Sequence, residues 1–353
     1  MAESSYLRRN WKLLLNLITV IALIIVIFAL RHQLIDTLRN IKHLNVWFLL
    51  LIIPLEALGY HGQARMYQSL FKTVGTKLDY KPLLKVSLEL NFVNHVFPSG
   101  GVSGISYFGL RLKALGARGT QATLIQTMRL VLQFLSFEVL LFFGMFALAV
   151  NGHASNLAIM IGTILAMSVL VGTGIFGYII GSRTRIRVFF TWLTRLLNKL
   201  IQVVRPKHPE TINISRAADA FDEFHETYAT LRSKSHELVG PFWWAFLYNL
   251  TEVLVIYSVY LAFGETVNIG AIILAFAVAN FAGLVSVVPG GYGIYEGLMT
   301  AVLATAGISP ALSIPVTVTY RVLNTLLQIP PGYVLYQRAI HRGKNEDDTV
   351  AAD

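Results

Sequence analysis

Two stretches of this chain repeat one pattern, and each breaks an apolar segment near its middle. The first runs from Asn91-Phe92 through Pro98-Ser99-Gly100-Gly101 to Leu115-Gly116, then into a helix bearing Arg129. The second runs from Asn280-Phe281 through Pro289-Gly290-Gly291-Tyr292-Gly293 to Ala306-Gly307, then into a helix bearing Arg321. Gly116 and Gly307 fall at the same distance past their prolines, and Arg129 and Arg321 at distances one residue apart. Proline removes a helical hydrogen bond and glycine permits a tight turn. Inside a bilayer such a break survives only where protein or water re-satisfies the freed backbone groups. Paired breaks in two halves of a chain point to a transporter's binding site.

Composition supports the bilayer. Hydrophobic residues make up 55% of the chain and charged residues only 14%. The stretches 13–30 and 157–180 carry no charge at all, and about 18 apolar residues suffice to cross a hydrocarbon core of about 30 Å. Arg8, Arg9 and Lys12 give the first run the look of a signal peptide. Arg31-His32-Gln33 follows it in place of a small-x-small cleavage site, so it is expected to stay as a membrane helix. The absence of cysteine excludes disulfides and thiol chemistry. The net charge of +10 needs no nucleic acid to explain it, because basic residues collect on the cytoplasmic side of a membrane.

The pattern predicts an all-α integral membrane protein. Six full spans are expected at 13–30, 46–64, 121–150, 157–180, 241–263 and 311–336, with re-entrant helical hairpins at 82–117 and 269–307. With the N-terminus inside, only Arg31, Arg39 and Lys42 face outward. Arg129 and Arg321 then fall within spans, and the rest of the 29 Lys and Arg are cytoplasmic. The two hairpins then enter from opposite sides, which is an inverted repeat. The first membrane half is expected over 1–182, its last span opening the second repeat. A cytoplasmic amphipathic linker follows over 183–240, then the second membrane half over 241–340 and a disordered tail over 341–353. In the linker, Ile186, Phe189, Leu193, Leu196, Leu197, Leu200 and Val204 recur at helical spacing, which suits a helix lying on the inner leaflet. Phe221, Phe224, Tyr228 and Leu231 mark a second, more polar helix.

The candidate headgroup-binding residues follow from the breaks and the buried charges. Pro98, Ser99, Gly100 and Gly101, with Pro289, Gly290, Gly291, Tyr292 and Gly293, form the loops. Half-helices that begin there would aim their N–H groups at an anion. Arg129 and Arg321 each sit in a polar stripe, Gln126 and Gln133 beside the first, Asn324 and Gln328 beside the second. A guanidinium is a natural fork for phosphate. The competing reading is an internal salt bridge to Glu89, Glu138, Glu252 or Glu296. Glu138, Glu252 and Glu296 are also candidate proton carriers. Asn91, His95 and Asn280 complete the supporting polar set, with His95 read as a hydrogen-bonding partner rather than a ligand. No metal cluster, nucleotide loop or catalytic motif is legible, so no cofactor and no enzymatic activity are expected.

Val288-Pro289-Gly290-Gly291-Tyr292-Gly293-Ile294-Tyr295-Glu296, with Ala306-Gly307-Ile308 and Tyr320-Arg321 beyond it, resembles the lysylphosphatidylglycerol synthase transmembrane region. That is the flippase-like part of bacterial multiple peptide resistance proteins and of stand-alone homologues. The resemblance covers about residues 10–340, and Asn91 to Gly104 matches it more loosely. Val102-Ser103-Gly104 stands where the family pattern puts an acid after the first glycines. No aminoacyl-transferring domain is expected within these 353 residues, so the resemblance implies lipid translocation rather than lipid aminoacylation. The substrate expected is a phospholipid or a polyprenyl- or isoprenoid-phosphate lipid, in a bacterial or archaeal cytoplasmic membrane, with both termini inside. Partners expected are membrane lipids, with a lipid-modifying enzyme or a second copy of the chain as the protein partners left open. Two rival readings remain: a membrane transferase acting on a lipid-linked substrate, and a scaffold for a lipid-biosynthetic enzyme.

Overall fold

A computed structural model describes residues 44–97, 102–150, 155–189, 191–192, 195, 225–226, 228–285 and 293–350, with the backbone alone for 102, 282–285 and 342–350. The expected first span at 13–30, most of the linker and both Pro-Gly loop tips lie outside the described residues. Among the described residues every regular element is a helix.

The second expected span holds helix α1, Val46–Leu50, followed after Leu51 by α2, Ile52–Thr73. Asn45 opens it, its Oδ1 accepting from the Trp47 N–H at 3.2 Å. The break after Leu50 has a local cause in Pro54, whose ring is directed at the carbonyl four residues back. Helices α3, Tyr80–Val96, and α4, Val102–Lys113, occupy the first interrupted segment. Helices α5, Gly119–Val150, and α6, Asn156–Ile180, are long and apolar. A 3-10 turn, Ser235–Leu238, leads into α7, Val239–Ala262. Helices α8, Ile269–Val285, and α9, Ile294–Thr305, form the second interrupted segment, and α10, Pro310–Val350, closes the chain. Short helical pieces at 183–189 and 228–233 are what is described of the linker. Ile186 and Leu231 are fully buried there, and Tyr228 packs beside them.

Among the described residues, four helical stretches are long and apolar enough to cross a membrane: Val46–Thr73, Gly119–Val150, Asn156–Ile180 and Ser235–Ala262. Helix α10 covers the sixth expected span and is longer still, at 41 residues, but Arg321, Asn324 and Gln328 make it more polar. It also runs through 341–350, where the sequence predicts a disordered tail. Once a packed helix is nucleated, each added residue gains a backbone hydrogen bond, and the helix carries past its last apolar turn. Helices α4 and α9 have 12 residues each, a rise of about 18 Å, short of a hydrocarbon core of about 30 Å.

Four helices end in one way. After α2, α4, α7 and α9 come Gly75, Gly116, Gly264 and Gly307, with φ of 84°, 87°, 79° and 84°. The next N–H in each case returns to a carbonyl one turn inside the helix: Thr76 to Phe71, Ala117 to Leu112, Glu265 to Tyr260 and Ile308 to Leu303. These are left-handed glycine caps that satisfy otherwise orphaned carbonyls.

Close crossings hold the bundle together. Helix α2 lies along α7, with Gly59 and Gly62 against Thr251 and the Trp244 carbonyl. Helix α3 packs on α10, where Gly332 fits against Phe92 and the Leu88 carbonyl. Helix α8 packs on α5, where Gly270 lies on the Gly144 carbonyl. Small residues let backbones approach where lipid offers no hydrophobic drive for association. The molecule is apolar outside and buries polar and charged groups among its apolar cores. Phe142, Phe143, Phe146, Ile164, Met167 and Ile175 are exposed, whereas Glu56, Gln63, Glu89, Gln126, Asn249, Glu296 and Gln328 are buried. An apolar surface on this scale suits a lipid solvent, and the protein is an integral membrane protein.

Candidate functional site

Among the described residues, three polar groupings gather most of the candidate residues. The central one lies where α2 and α7 meet α3 and α10. Gln328 Nε2 donates to Glu56 Oε2 at 3.0 Å, and Gln328 Oε1 accepts from Asn91 Nδ2 at 2.6 Å. Asn91 Nδ2 also donates to the Tyr60 hydroxyl. On the α7 side, Tyr320 donates to Glu252 Oε2 at 3.3 Å and accepts from Asn324 Nδ2 at 3.2 Å. Beside this network lies a cavity of about 10 Å³ lined by Glu56, Tyr60, Asn91, Tyr248, Glu252 and Gln328, with Gly59 and Thr251 at its wall. That is about the room of a single water molecule. Glu56 Oε1 has no hydrogen-bond partner and is buried.

The second grouping starts α9. Glu296 Oε2 accepts from the Gly293 N–H at 2.6 Å, which holds the first turn. Arg321 Nη1 stands 3.5 Å from Glu296 Oε1, and its guanidinium lies over the Tyr295 ring at 4.6 Å. Both charged side chains are 10% exposed, so the pair is buried. The third grouping joins α2 to α5. Tyr67 donates to Gln126 Oε1 at 2.6 Å, and Arg129 Nη1 donates to the Tyr67 hydroxyl at 3.4 Å. Arg129 Nε is buried without a hydrogen-bond partner.

Asn91, Glu252 and Gln328, singled out in sequence, thus meet at one cavity, with Asn324 linked to Glu252 through the Tyr320 hydroxyl. Gln126 and Arg129 meet each other elsewhere, as do Glu296, Gly293 and Arg321. His95 donates to the Asn91 carbonyl at 2.9 Å, tying it to the central group. Asn280 bonds back to the Phe276 carbonyl of its own helix. Glu138 Oε2 is buried without a hydrogen-bond partner, apart from these groups. Gln133 contributes its carbonyl, which accepts from Asn249. Glu89 pairs with neither span arginine. Arg111 grips it with two hydrogen bonds of 2.7 and 3.1 Å, and Tyr107 adds a third. Pro98, Ser99, Gly100, Gly101, Pro289, Gly290, Gly291 and Tyr292 lie outside the described residues. Sequence reasoning missed Glu56, Tyr60 and Tyr248. An acid inside an apolar span, with Gly59, Tyr60 and Gln63 recurring on its helix face, was the available signal.

An apolar-coated helical bundle with ionisable groups buried among its helices is the build of an integral membrane protein. The chain belongs to the family of the lysylphosphatidylglycerol synthase transmembrane region, whose model matches residues 14–332. It is similar to a UPF0104 membrane protein of Pyrococcus horikoshii, 20% identical across 85% of this chain and 89% of that one. A UPF0104 membrane protein of Methanocaldococcus jannaschii is 19% identical, across 86% of this chain and 88% of the relative. A third, from Methanothermobacter thermautotrophicus, is 29% identical over 31% of this chain and 32% of its own length.

Proposed function

We propose that the protein is a lipid translocase that carries the headgroup of a phospholipid, or of a polyprenyl- or isoprenoid-phosphate lipid, between the leaflets of a cytoplasmic membrane. The observation that carries this reading is the buried polar system at the centre of an apolar bundle, reached by two short interrupted helix pairs. A lipid crosses with its tails in hydrocarbon and its headgroup shielded, and a polar interior beside apolar faces serves both needs. The inverted repeat is part of the proposal. The like-ended helix pairs α2 and α7, α4 and α9, and the exchanged packing of α3 on α10 and α8 on α5, support it. So does the basic-residue asymmetry, which puts both termini inside. The Pro-Gly loops and Arg129 would line the headgroup path, with Asn324 and Arg321 beside it.

The transferase reading gains something from the structure, since Glu56 and Glu252 share a cavity. The cavity is about 10 Å³ and no Lys, Arg or His lines it, which is poor provision for a lipid phosphate. The translocase reading is therefore preferred.

The test uses purified protein in phosphatidylglycerol vesicles carrying a trace of phosphatidylglycerol with a fluorescent headgroup-side label, or of labelled polyprenyl phosphate. A membrane-impermeant reductant then bleaches the outer leaflet. Bleaching beyond the protein-free plateau supports translocation, and a plateau equal to that of empty vesicles for both lipids refutes it. Orientation is tested separately with single cysteines at Ala114 and Glu265, both exposed, in a chain that has no other. They should react from opposite sides of the membrane, and reaction from one side would end the inverted layout.

A further inference from the structure

We propose that Glu56 and Glu252 together form a proton-binding site, and that loading and release of its proton are linked to lipid movement. The inference rests on the translocase reading for what the proton drives, but the site itself stands on its own geometry.

Both carboxylates border one cavity of about 10 Å³ at the contact of α2 with α7. Among the described residues neither has a cationic partner within salt-bridge distance. The two span arginines are turned elsewhere, Arg129 to Tyr67 and Arg321 to Glu296 and Tyr295. The groups that face the pair are hydroxyls and amides. They are Tyr60 from α2, Asn91 from α3, Tyr248 and Thr251 from α7, and Tyr320 and Gln328 from α10, with Tyr295 of α9 beside Tyr320 and within electrostatic reach of Glu252. His95 reaches this group only through the Asn91 carbonyl. Two full negative charges in one enclosed site lack compensation, and one proton between them removes the conflict. The donors present are enough for a single remaining charge: Gln328 Nε2 serves Glu56 and Tyr320 serves Glu252. Glu56 is 8% exposed, and its second oxygen has no hydrogen-bond partner. That oxygen is the open seat for the proton.

The chemistry favours a proton over a metal cation. Gln328 turns its N–H group toward Glu56, and Asn91 turns its own toward Tyr60 and the Gln328 oxygen, whereas a metal cation needs a shell of oxygens. The position suits coupling. Glu56 belongs to α2 and Glu252 to α7, the helices that cross at Gly59 and Thr251, so any rocking of the two halves changes the separation of the carboxylates. A proton would leave water on one side, bind a carboxylate oxygen, and return to water on the other side once the halves have moved.

The first arm of the test needs no knowledge of the lipid. pH-difference infrared spectra are recorded on the purified full chain in phosphatidylglycerol bilayers, in sodium and in potassium buffers. A protonated-carboxyl band should titrate with pH, be indifferent to sodium, and be lost or displaced in both Glu56→Gln and Glu252→Gln. Glu56→Asp should keep it, and Glu237→Gln, on the exposed 3-10 turn, should leave it unchanged. A band unaffected by both Gln variants overturns the proposal, as does one that sodium removes at fixed pH. Melting curves screen out any variant that has not folded. The second arm follows the labelled lipids with and without an imposed pH gradient. A rate that rises severalfold with the gradient in the native chain, and loses that response in Glu56→Gln, supports the linkage. Lipid movement equally fast in both, with or without the gradient, overturns it. Should no lipid move at all, the translocase reading fails and the infrared arm alone decides the proton site.

Discussion

Arg129 and Arg321 stand at matching places in the two copies of the sequence pattern, yet they keep different company. Arg321 faces Glu296 at 3.5 Å and covers the Tyr295 ring. Arg129 touches the Tyr67 hydroxyl at 3.4 Å, and its Nε is buried without a hydrogen-bond partner. The difference begins in the interrupted segments. The second has an acid three residues after Gly293, which caps α9 and meets the arginine. The first has Val102-Ser103-Gly104, with no acid nearby in sequence. A duplicated pattern thus preserves where a positive charge stands without preserving what neutralises it. Of the two, Arg129 is the arginine we propose for an anionic headgroup, while Arg321 is held in a buried pair with Glu296.

That distinction makes the largest predicted effect. Arg321→Ala strands Glu296 in the interior and is expected to cost about 3 kcal/mol of stability, read as a lower melting temperature in detergent. Adding Glu296→Gln should recover part of the loss. Arg129→Ala breaks one long hydrogen bond and is expected to cost about 1 kcal/mol or less, while removing most lipid movement in vesicles. Arg129→Lys should restore movement only in part, since a point charge replaces a fork. If both alanine variants melt alike, the contrast between the two arginines is wrong.

The exchanged packing of the halves gives an intermediate effect. A methyl group on Gly332 would stand 2.6 Å from the Phe92 Cβ and 2.7 Å from the Leu88 carbonyl. Gly332→Ala should cost about 2 kcal/mol through overpacking. Gly270→Ala, which meets the Gly144 carbonyl, should cost a similar amount, about 2 kcal/mol. Equal losses on chemical denaturation sharpen the correspondence between α3 on α10 and α8 on α5. A neutral result at either site breaks it.

The smallest effect tests the caps. Gly307 follows α9 with a φ of 84°, a backbone conformation in which a side chain is strained. Gly116→Ala and Gly307→Ala should each cost about 1 kcal/mol, the penalty for a side chain in left-handed backbone. Gly297, with nothing near its absent Cβ, is the better reference. Gly297→Ala should gain up to about 1 kcal/mol by favouring helix. Melting curves of the three variants decide the matter.

Much of the fold was legible because the bilayer imposes few solutions. Apolar run lengths located the elements that became α2, α5, α6 and α7, and the doubled glycine pattern located both interrupted segments. The boundary at Leu51 was also open to reading, since Pro54 stands in the run. The candidate site was legible only by halves. Asn91, Glu252 and Gln328 were marked as polar residues in apolar helices, but nothing in their spacing says that they share a cavity with Glu56. They come from α3, α7, α10 and α2, and only long-range packing sets their distances. Glu89 shows the converse, since any of several cations was available to it in sequence and packing selected Arg111.

By itself the sequence determined the class of molecule. Where backbone polar groups cannot be met by water, an apolar chain must be helical, and its breaks must be sheltered by protein. It also determined that charges would lie within apolar spans, because Arg129 and Glu252 stand in Gly119–Val150 and Ser235–Ala262, stretches long and apolar enough to cross a membrane. Tertiary structure alone decided which charge meets which. Glycine contacts at Gly59, Gly270 and Gly332 fix how closely helices cross, and that closeness brings Glu56 to the cavity of Glu252 and Arg321 to Glu296. The energy of a buried charge depends on partners a few ångströms away, drawn from distant parts of the chain, and spacing along one helix cannot supply them.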